Sequence, residues 1–435
     1  MAVRGVRCAG AVVLLAAACS RAPADARTLV TFSGSALGAE GEILGRQIQR
    51  FMRANPGIRV DIQRTPDDAT QRHQLFVQWL NARAGSPDVL QLDAIWTPEF
   101  AAAEWILPLT RWNPRAADFF PATVTANSWR GELYALPWWM DVGMLYWRTD
   151  LLPRAPRTMA ELRDAARQGR ARDSTGHIYG FVWQGARYEG LVTVFTEILG
   201  GFGGRIADAQ GNVTVDSPQG VQALGFLRDL LREGLSPEEV LTWHEEESRF
   251  AFQNGTAVLM RNWPYAYPVM NEAGSRVARR YAVAPMPAAP GGTPTATLGG
   301  SELAINAHSA HPDAAYRLIA FLTAPEQMLE RAKLGGYPTR PALYDDPRIA
   351  AALPIPVAQA RAIIERAIPR PVTPIYSQLS ELLQIQLHRA LTGQTTPADA
   401  LHAAARQMNE LVERTGIRKL LAGRPGPATQ PQGAR

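Results

Sequence analysis

The sequence predicts an α/β fold built as two units. Strand-like and helix-like stretches alternate over most of the chain, and 435 residues at 46% hydrophobic content are enough for two full cores. Disulfides cannot substitute for those cores, because Cys8 and Cys19 are the only cysteines and both lie near the amino terminus.

The first unit can be read element by element. Leu29 to Phe32 is a strand, a Gly-rich loop runs from Gly34 to Gly41, and Leu44, Ile48, Phe51 and Met52 recur at helical spacing until Asn55-Pro56-Gly57 stops the helix. Ile58, Val60 and Ile62 alternate as a second strand. Leu75, Phe76, Trp79 and Leu80 mark a second helix, and Val89 to Leu92 a third strand. That order is a βαβαβ unit with a parallel sheet. Ligands of such sheets sit beyond the carboxyl ends of the strands, which puts Asp93 on the rim, just ahead of the helix opened by Thr97-Pro98-Glu99. The loop that carries Glu40 opens on the same rim.

Leu136 to Arg148 reads as one buried strand entered through Pro137, which has no N–H to give a ladder. Trp138 and Trp139 must then point to opposite sides, so one packs in the core while the other faces a cleft on the same side as Asp141. An indole covers the C–H face of a sugar ring, and a carboxylate accepts from two neighbouring hydroxyls. The competing reading keeps both tryptophans in the core and has Asp141 cap a turn.

Alternation continues beyond this stretch. Thr158 and Glu161 form a capping box, Tyr179 to Gln184 is a strand, Leu191 to Leu199 a helix, and Ser217-Pro218 caps a helix that buries Val221, Leu224, Leu227 and Leu231. A helix from Ser248 to Gln253 leads through Asn254-Gly255 into a strand, Ala257 to Met260, that ends on Arg261-Asn262-Trp263-Pro264-Tyr265. Val283 to Pro287 and Leu303 to Ile305 are further strands flanked by the Gly291-Gly292 and Gly299-Gly300 pairs. Helices are expected over Pro312 to Thr323 and Pro325 to Leu334, then the tight loop Gly335 to Arg340, then helical periodicity in Ala358 to Ala367, Gln378 to Leu391 and Pro397 to Arg414. The ending from Gly423 is Pro/Gly/Gln-rich and reads as disordered.

Composition narrows the partners. Net charge is +5, and all but two of the 45 basic residues are arginine, scattered singly with no run that would track a phosphate backbone, so nucleic acid is not an expected partner. The seven histidines show no metal-ligand spacing apart from His308/His311, which precedes a Pro-capped helix and reads as surface. Arg4 and Arg7 ahead of the apolar run Ala9 to Ala18 form a signal peptide over residues 1–18. Leu15-Ala16-Ala17-Ala18-Cys19 resembles a lipobox, with Ala16 where Leu is preferred, so Cys19 is the candidate lipidated residue. Cleavage after Ala24-Asp25-Ala26 is the alternative.

Several motifs, in order, carry a resemblance: Leu136-Pro137, Phe181-Val-Trp-Gln-Gly185, Tyr188-Glu-Gly-Leu191, Arg261-Asn-Trp-Pro-Tyr-Ala266, Thr297-Leu-Gly-Gly300, Tyr344-Asp-Asp-Pro347 and Pro369-Arg-Pro371. From about Leu29 to Arg414 the chain resembles the trehalose/maltose-binding proteins of ABC importers, within the extracellular solute-binding class. The resemblance implies a two-lobed periplasmic-binding-protein-like fold, each lobe a mostly parallel sheet flanked by helices, with a hinge of crossing strands and a disaccharide in the cleft. It places an N-terminal lobe at 27–138 plus 303–345, a C-terminal lobe at 139–302 plus 346–420, and a disordered tail at 421–435.

By the same resemblance Glu40, Asp93, Asp141 and Arg340 are hydroxyl-binding groups, Trp263 and Tyr265 a stacking platform, and Gly299 and Gly300 close-approach backbone. Trp139 and Ser301 are departures: the family's disaccharide binders often have Tyr at the first position and Trp at the second. Trp96 and Glu302 are weaker candidates. Each residue also has a plain structural role open to it: Glu40 as a helix cap, Asp93 and Asp141 as turn caps, Trp263 as core, Arg340 as a solvated charge. The expected partners are a di- or oligosaccharide and ABC permease subunits, with a monomeric chain, no cofactor, no metal, and membrane contact only through a lipid anchor. The alternatives are a glycoside hydrolase using paired carboxylates, or a sugar receptor feeding a membrane sensor.

Overall fold

The computed structural model describes residues 26–34, 40–172, 178–208, 210–353 and 355–417. The signal peptide, Cys19 and the 421–435 tail lie outside the described residues.

Eleven strands are formed among them: β1 (Thr28–Gly34), β2 (Ile58–Arg64), β3 (Val89–Asp93), β4 (Ser128–Trp129), β5 (Glu132–Leu133), β6 (Ala135–Val142), β7 (Met144–Arg148), β8 (Tyr179–Val182), β9 (Ala257–Asn262), β10 (Tyr281–Pro285) and β11 (Leu298–Ile305). Two sheets organise the molecule, in the orders β2-β1-β3-β11-β6 and β10-β7-β9-β8, while β4 and β5 make a small ribbon. The expected βαβαβ unit is present, with β1 parallel to both β2 and β3. In each sheet all strands but one run the same way. The exceptions are β11, antiparallel to β3 and β6, and β7, antiparallel to β9 and β10.

Leu136 to Arg148 is not one strand. It is β6 in the first sheet and β7 in the second, divided at Gly143. A Cβ at 143 would lie 1.8 Å from Oε1 of Glu197 and 2.6 Å from a guanidinium nitrogen of Arg261, so only glycine lets the chain cross here. The return crossing enters β11, which begins at Leu298. Gly299 and Gly300 therefore lie inside a strand, opposite Asp141 and Met140, where the sequence reading had them flank one. Gly300 has a φ of +139° and leaves no room for a Cβ, which would sit 2.3 Å from the Trp139 carbonyl oxygen.

Helix Glu189–Gly201 is buried along its whole length, as a helix apolar all round must be. Its two carboxylates cannot stay ionised there unpaired, so each is met by a partner. Glu197 takes two bonds from Arg261, itself fully buried, and Gln184 accepts a third guanidinium N–H at 3.0 Å. Helix Tyr376–Leu391 packs on this helix and on Pro218–Arg232, and Pro397–Thr415 packs on Tyr376–Leu391 and Pro218–Arg232, so the helical ending covers the second sheet's half.

Candidate functional site

Three neighbouring strands, β3, β11 and β6, bring Asp93, Ser301 and Trp139 into one row, since Ser301 is registered with Asp93 on one side and Trp139 on the other. Two residues along β6, on the same face, Asp141 accepts a hydrogen bond from Trp139 Nε1 at 3.2 Å. Of the indole pair, Trp138 turns into the core edge-on to Phe32, and Trp139 turns to the cleft, although both are almost wholly buried. The guanidinium of Arg331 lies 4.0 Å from one ring and 4.4 Å from the other, a cation–π contact that fixes the pair.

The second half supplies the facing wall. Beyond β9, the Trp263 indole donates to Glu245 Oε1 at 3.3 Å and carries the Arg261 guanidinium at 3.9 Å from its ring. The Tyr265 hydroxyl donates to Glu246 Oε1 at 2.6 Å. Gly299 comes within reach of this wall: a Cβ there would lie 3.3 Å from the Trp263 ring, so a larger side chain would press on it. Between the walls is a cavity of about 100 Å³.

Carboxylates dominate its lining, with Asp67, Asp93, Asp141, Glu189 and Glu245 against the guanidinium groups of Arg72 and Arg370. Arg370 donates to Glu189 at 2.8 Å and to Asp93 at 3.1 Å, so it ties the rim of the first sheet to the start of helix Glu189–Gly201. Burial works against its charge, but the two carboxylates hold its pKa above the usual arginine value. Glu189 is completed by the hydroxyls of Tyr376 (2.7 Å) and Ser380. Burial pushes the phenols of Tyr188 and Tyr265 well above their ordinary range, so both stay neutral. What such a lining can do is accept from hydroxyls and cover apolar ring faces.

Of the residues the sequence singles out, Asp93, Trp139, Asp141, Trp263, Tyr265, Gly299, Gly300 and Ser301 line this cavity. Arg340 does not join them: its guanidinium donates to Asp118 at 2.7 Å and to the Thr323 carbonyl at 3.1 Å, and stands 4.2 Å from the Phe119 ring. Trp96 is core, packed on Phe100, Phe76 and His73. Glu302 falls past a register shift in β11 and is buried away from the cavity lining. Glu40 opens helix Glu40–Ala54, and its side chain is outside what is described. Sequence reasoning missed Asp67, Arg72, Gln91, Tyr188, Glu189 and Arg370, and it read Glu245 only as part of the solvated helix start Glu245-Glu246-Glu247, with a rim role left open by the family resemblance. A signal was present for three of them, since Tyr188, Glu189 and Arg370 lie inside the motifs quoted above. Among the described residues no group of three or more His, Cys, Asp or Glu is placed to hold a metal ion.

Two α/β halves facing each other across an acidic, indole-lined cleft, with the chain crossing between them, have the architecture of a two-lobed ligand-binding protein. A profile of the bacterial extracellular solute-binding protein family matches residues 35–329, and the chain belongs to that family, the substrate-binding components of ABC transporters. It is 36% identical over 372 residues to a probable ABC transporter-binding protein of Deinococcus radiodurans, covering 82% of this chain and 88% of that one. Among solved structures, maltose-bound MalE3 of T. maritima superimposes with a TM-score of 0.84 at 41% identity, over 88% of this chain and all of that one. A solute-binding protein of Thermotoga lettingae bound to α-D-tagatose gives 0.79 at 26% identity, over 89% and 100%. These are binding proteins and not enzymes, so the glycoside hydrolase alternative is set aside. The family is extracellular, and among the described residues no helix is long and apolar enough to cross a membrane.

Proposed function

We propose that this chain captures a disaccharide of the trehalose or maltose type, or a related small sugar, and presents it unaltered to the permease subunits of an ABC importer. The observation that carries this reading is the Trp139–Asp141 pair on one wall of the cavity with Trp263 and Glu245 on the other, an indole and a carboxylate from each half. Ring faces pack on the indoles while hydroxyls donate to the carboxylates. Maltose in the T. maritima relative, at 41% identity, supports the same class of ligand.

The two lobes meet at the Gly143 and Leu298 crossings, a few residues from the 138/139 and 302/303 boundaries read from sequence, so Trp139 and Asp141 go with the first sheet and Trp263 and Glu245 with the second, and the lobes close by a hinge about those crossings. The sugar bridges both walls, so the closed state gains those contacts only when occupied. Lipidation of Cys19 tethers the exported chain to the membrane. A thermal-shift screen of the mature protein against mono-, di- and trisaccharides tests the ligand class, because a ligand bound only by the folded state raises the melting temperature. Disaccharides are expected to give the largest shift, with no glucose released from maltose or trehalose on incubation. No shift with any sugar, or turnover, contradicts the proposal.

A further inference from the structure

The walls of the cleft also touch outside the cavity. Asp68 caps helix Ala69–Asn81 on the first half, accepting from the Gln71 N–H at 2.7 Å, and its other carboxylate oxygen lies 3.3 Å from Nε2 of His244. His244 belongs to the opposite half, where it precedes helix Glu245–Gln253. Both partners are flanked by cavity-lining residues, Asp67 and Ala69 on one side and Glu245 on the other. The imidazole is also braced from behind by the Tyr188 ring, whose centroid is 4.3 Å away. The titratable groups facing it are Asp68 from the first half and Glu245, Glu247 and Tyr188 from its own.

We propose that Asp68 and His244 form a latch between the lobes that strengthens sugar binding while the imidazole is protonated. The pair is made only when the walls are together, so it adds to the closed state and not to the open one. This rests on the closing motion proposed above. Its sign follows from the neighbours. The hydrogen bond to Asp68 raises the pKa of His244 above its ordinary value, against burial and with help from Glu245 and Glu247. Burial raises that of Asp68, but the bonds from His244 and Gln71 outweigh it and hold the carboxyl below its usual range. Closure is therefore favoured below the raised pKa of His244, and that part of the stabilisation is lost as pH rises through it. The side chains are 40% and 16% exposed, so solvent screens the pair, limiting the effect to about fivefold in affinity and weakening it in salt.

Two readings test it together. Spin labels on Gln49 and Gln168, exposed on helices of opposite halves, report the interlobe distance of the unliganded chain by pulsed electron resonance, and calorimetry reports maltose affinity. The wild type is expected to shift toward the short distance at pH 6 relative to pH 8 and to bind maltose about two- to fivefold more tightly at pH 6. His244→Gln and Asp68→Asn should lose both pH dependences, and His244→Lys, with a fixed cation, should keep the short distance at pH 8. Wild-type pH dependence surviving in His244→Gln, or no pH dependence in the wild type, overturns the latch. If maltose binds at neither pH, the ligand assignment fails while the distances still decide the latch.

Discussion

Arg340 and Arg370 show how a single residue's role depends on what surrounds it. Both precede or sit between prolines in exposed-looking sequence, yet Arg340 turns toward Asp118 and Phe119 while Arg370 is buried against Asp93 and Glu189. Glu302 is a second case. Burial pushes its carboxyl well above the ordinary range, Asn127 opposes this, and Asp93 adds to it. A group whose folded pKa is raised favours folding below its unfolded pKa, near 4.5, and loses that contribution as pH rises through the folded value. Glu302→Gln is therefore expected to stabilise the fold at neutral and alkaline pH by on the order of 1 kcal/mol, read as a higher melting temperature, with no gain near pH 4. A melting-temperature profile parallel to that of the wild type would contradict it. Trp139 and Asp141 were legible from sequence because a strand puts residues i and i+2 on one face, a local rule. Arg370 was not, because its position depends on pairing across 181 residues, and Glu245 was legible only as part of an acidic helix start, since which wall that start faces depends on the fold.

At the scale of elements, the alternation of strand and helix located the first sheet's β1, β2 and β3 to within about two residues at each end, because each alternates or ends on a clear turn. The same local logic failed where a strand changes sheets. An unbroken apolar run cannot reveal that Val142 ends one ladder and Met144 starts another, and a Gly-Gly pair reads as loop when its two side-chain-free positions serve close approach within β11. Gly143→Ala would drive a methyl into the buried Glu197–Arg261 pair. Moving either partner leaves a charge without its counterpart in the interior, so a loss of about 3–5 kcal/mol is expected, read as a lower denaturant midpoint. An unchanged midpoint would mean that the crossing has slack which its geometry does not suggest.

The molecule as a whole is two sheets linked by crossing backbone and by polar ties that span the halves. Arg370 joins Asp93 to Glu189, and Ser377 on helix Tyr376–Leu391 donates to Glu99, which also bonds His73. Such ties let the halves hold a defined relation without a disulfide, which the position of the only two cysteines had already excluded as a support. The sequence could announce two α/β units, because length and alternation are global properties. It could not say which faces would meet, because that depends on three-dimensional pairing of residues far apart in the chain.

The central claim is that a sugar is gripped between walls contributed by both halves. Calorimetric titration of the mature protein with maltose tests it most directly when repeated on Asp141→Ala, from one wall, and Trp263→Ala, from the other. Saturable binding by the wild type and a loss of more than tenfold in each variant, about 1.4 kcal/mol or more, with melting temperatures little changed, is the expected result. Equal affinity in all three proteins would contradict it.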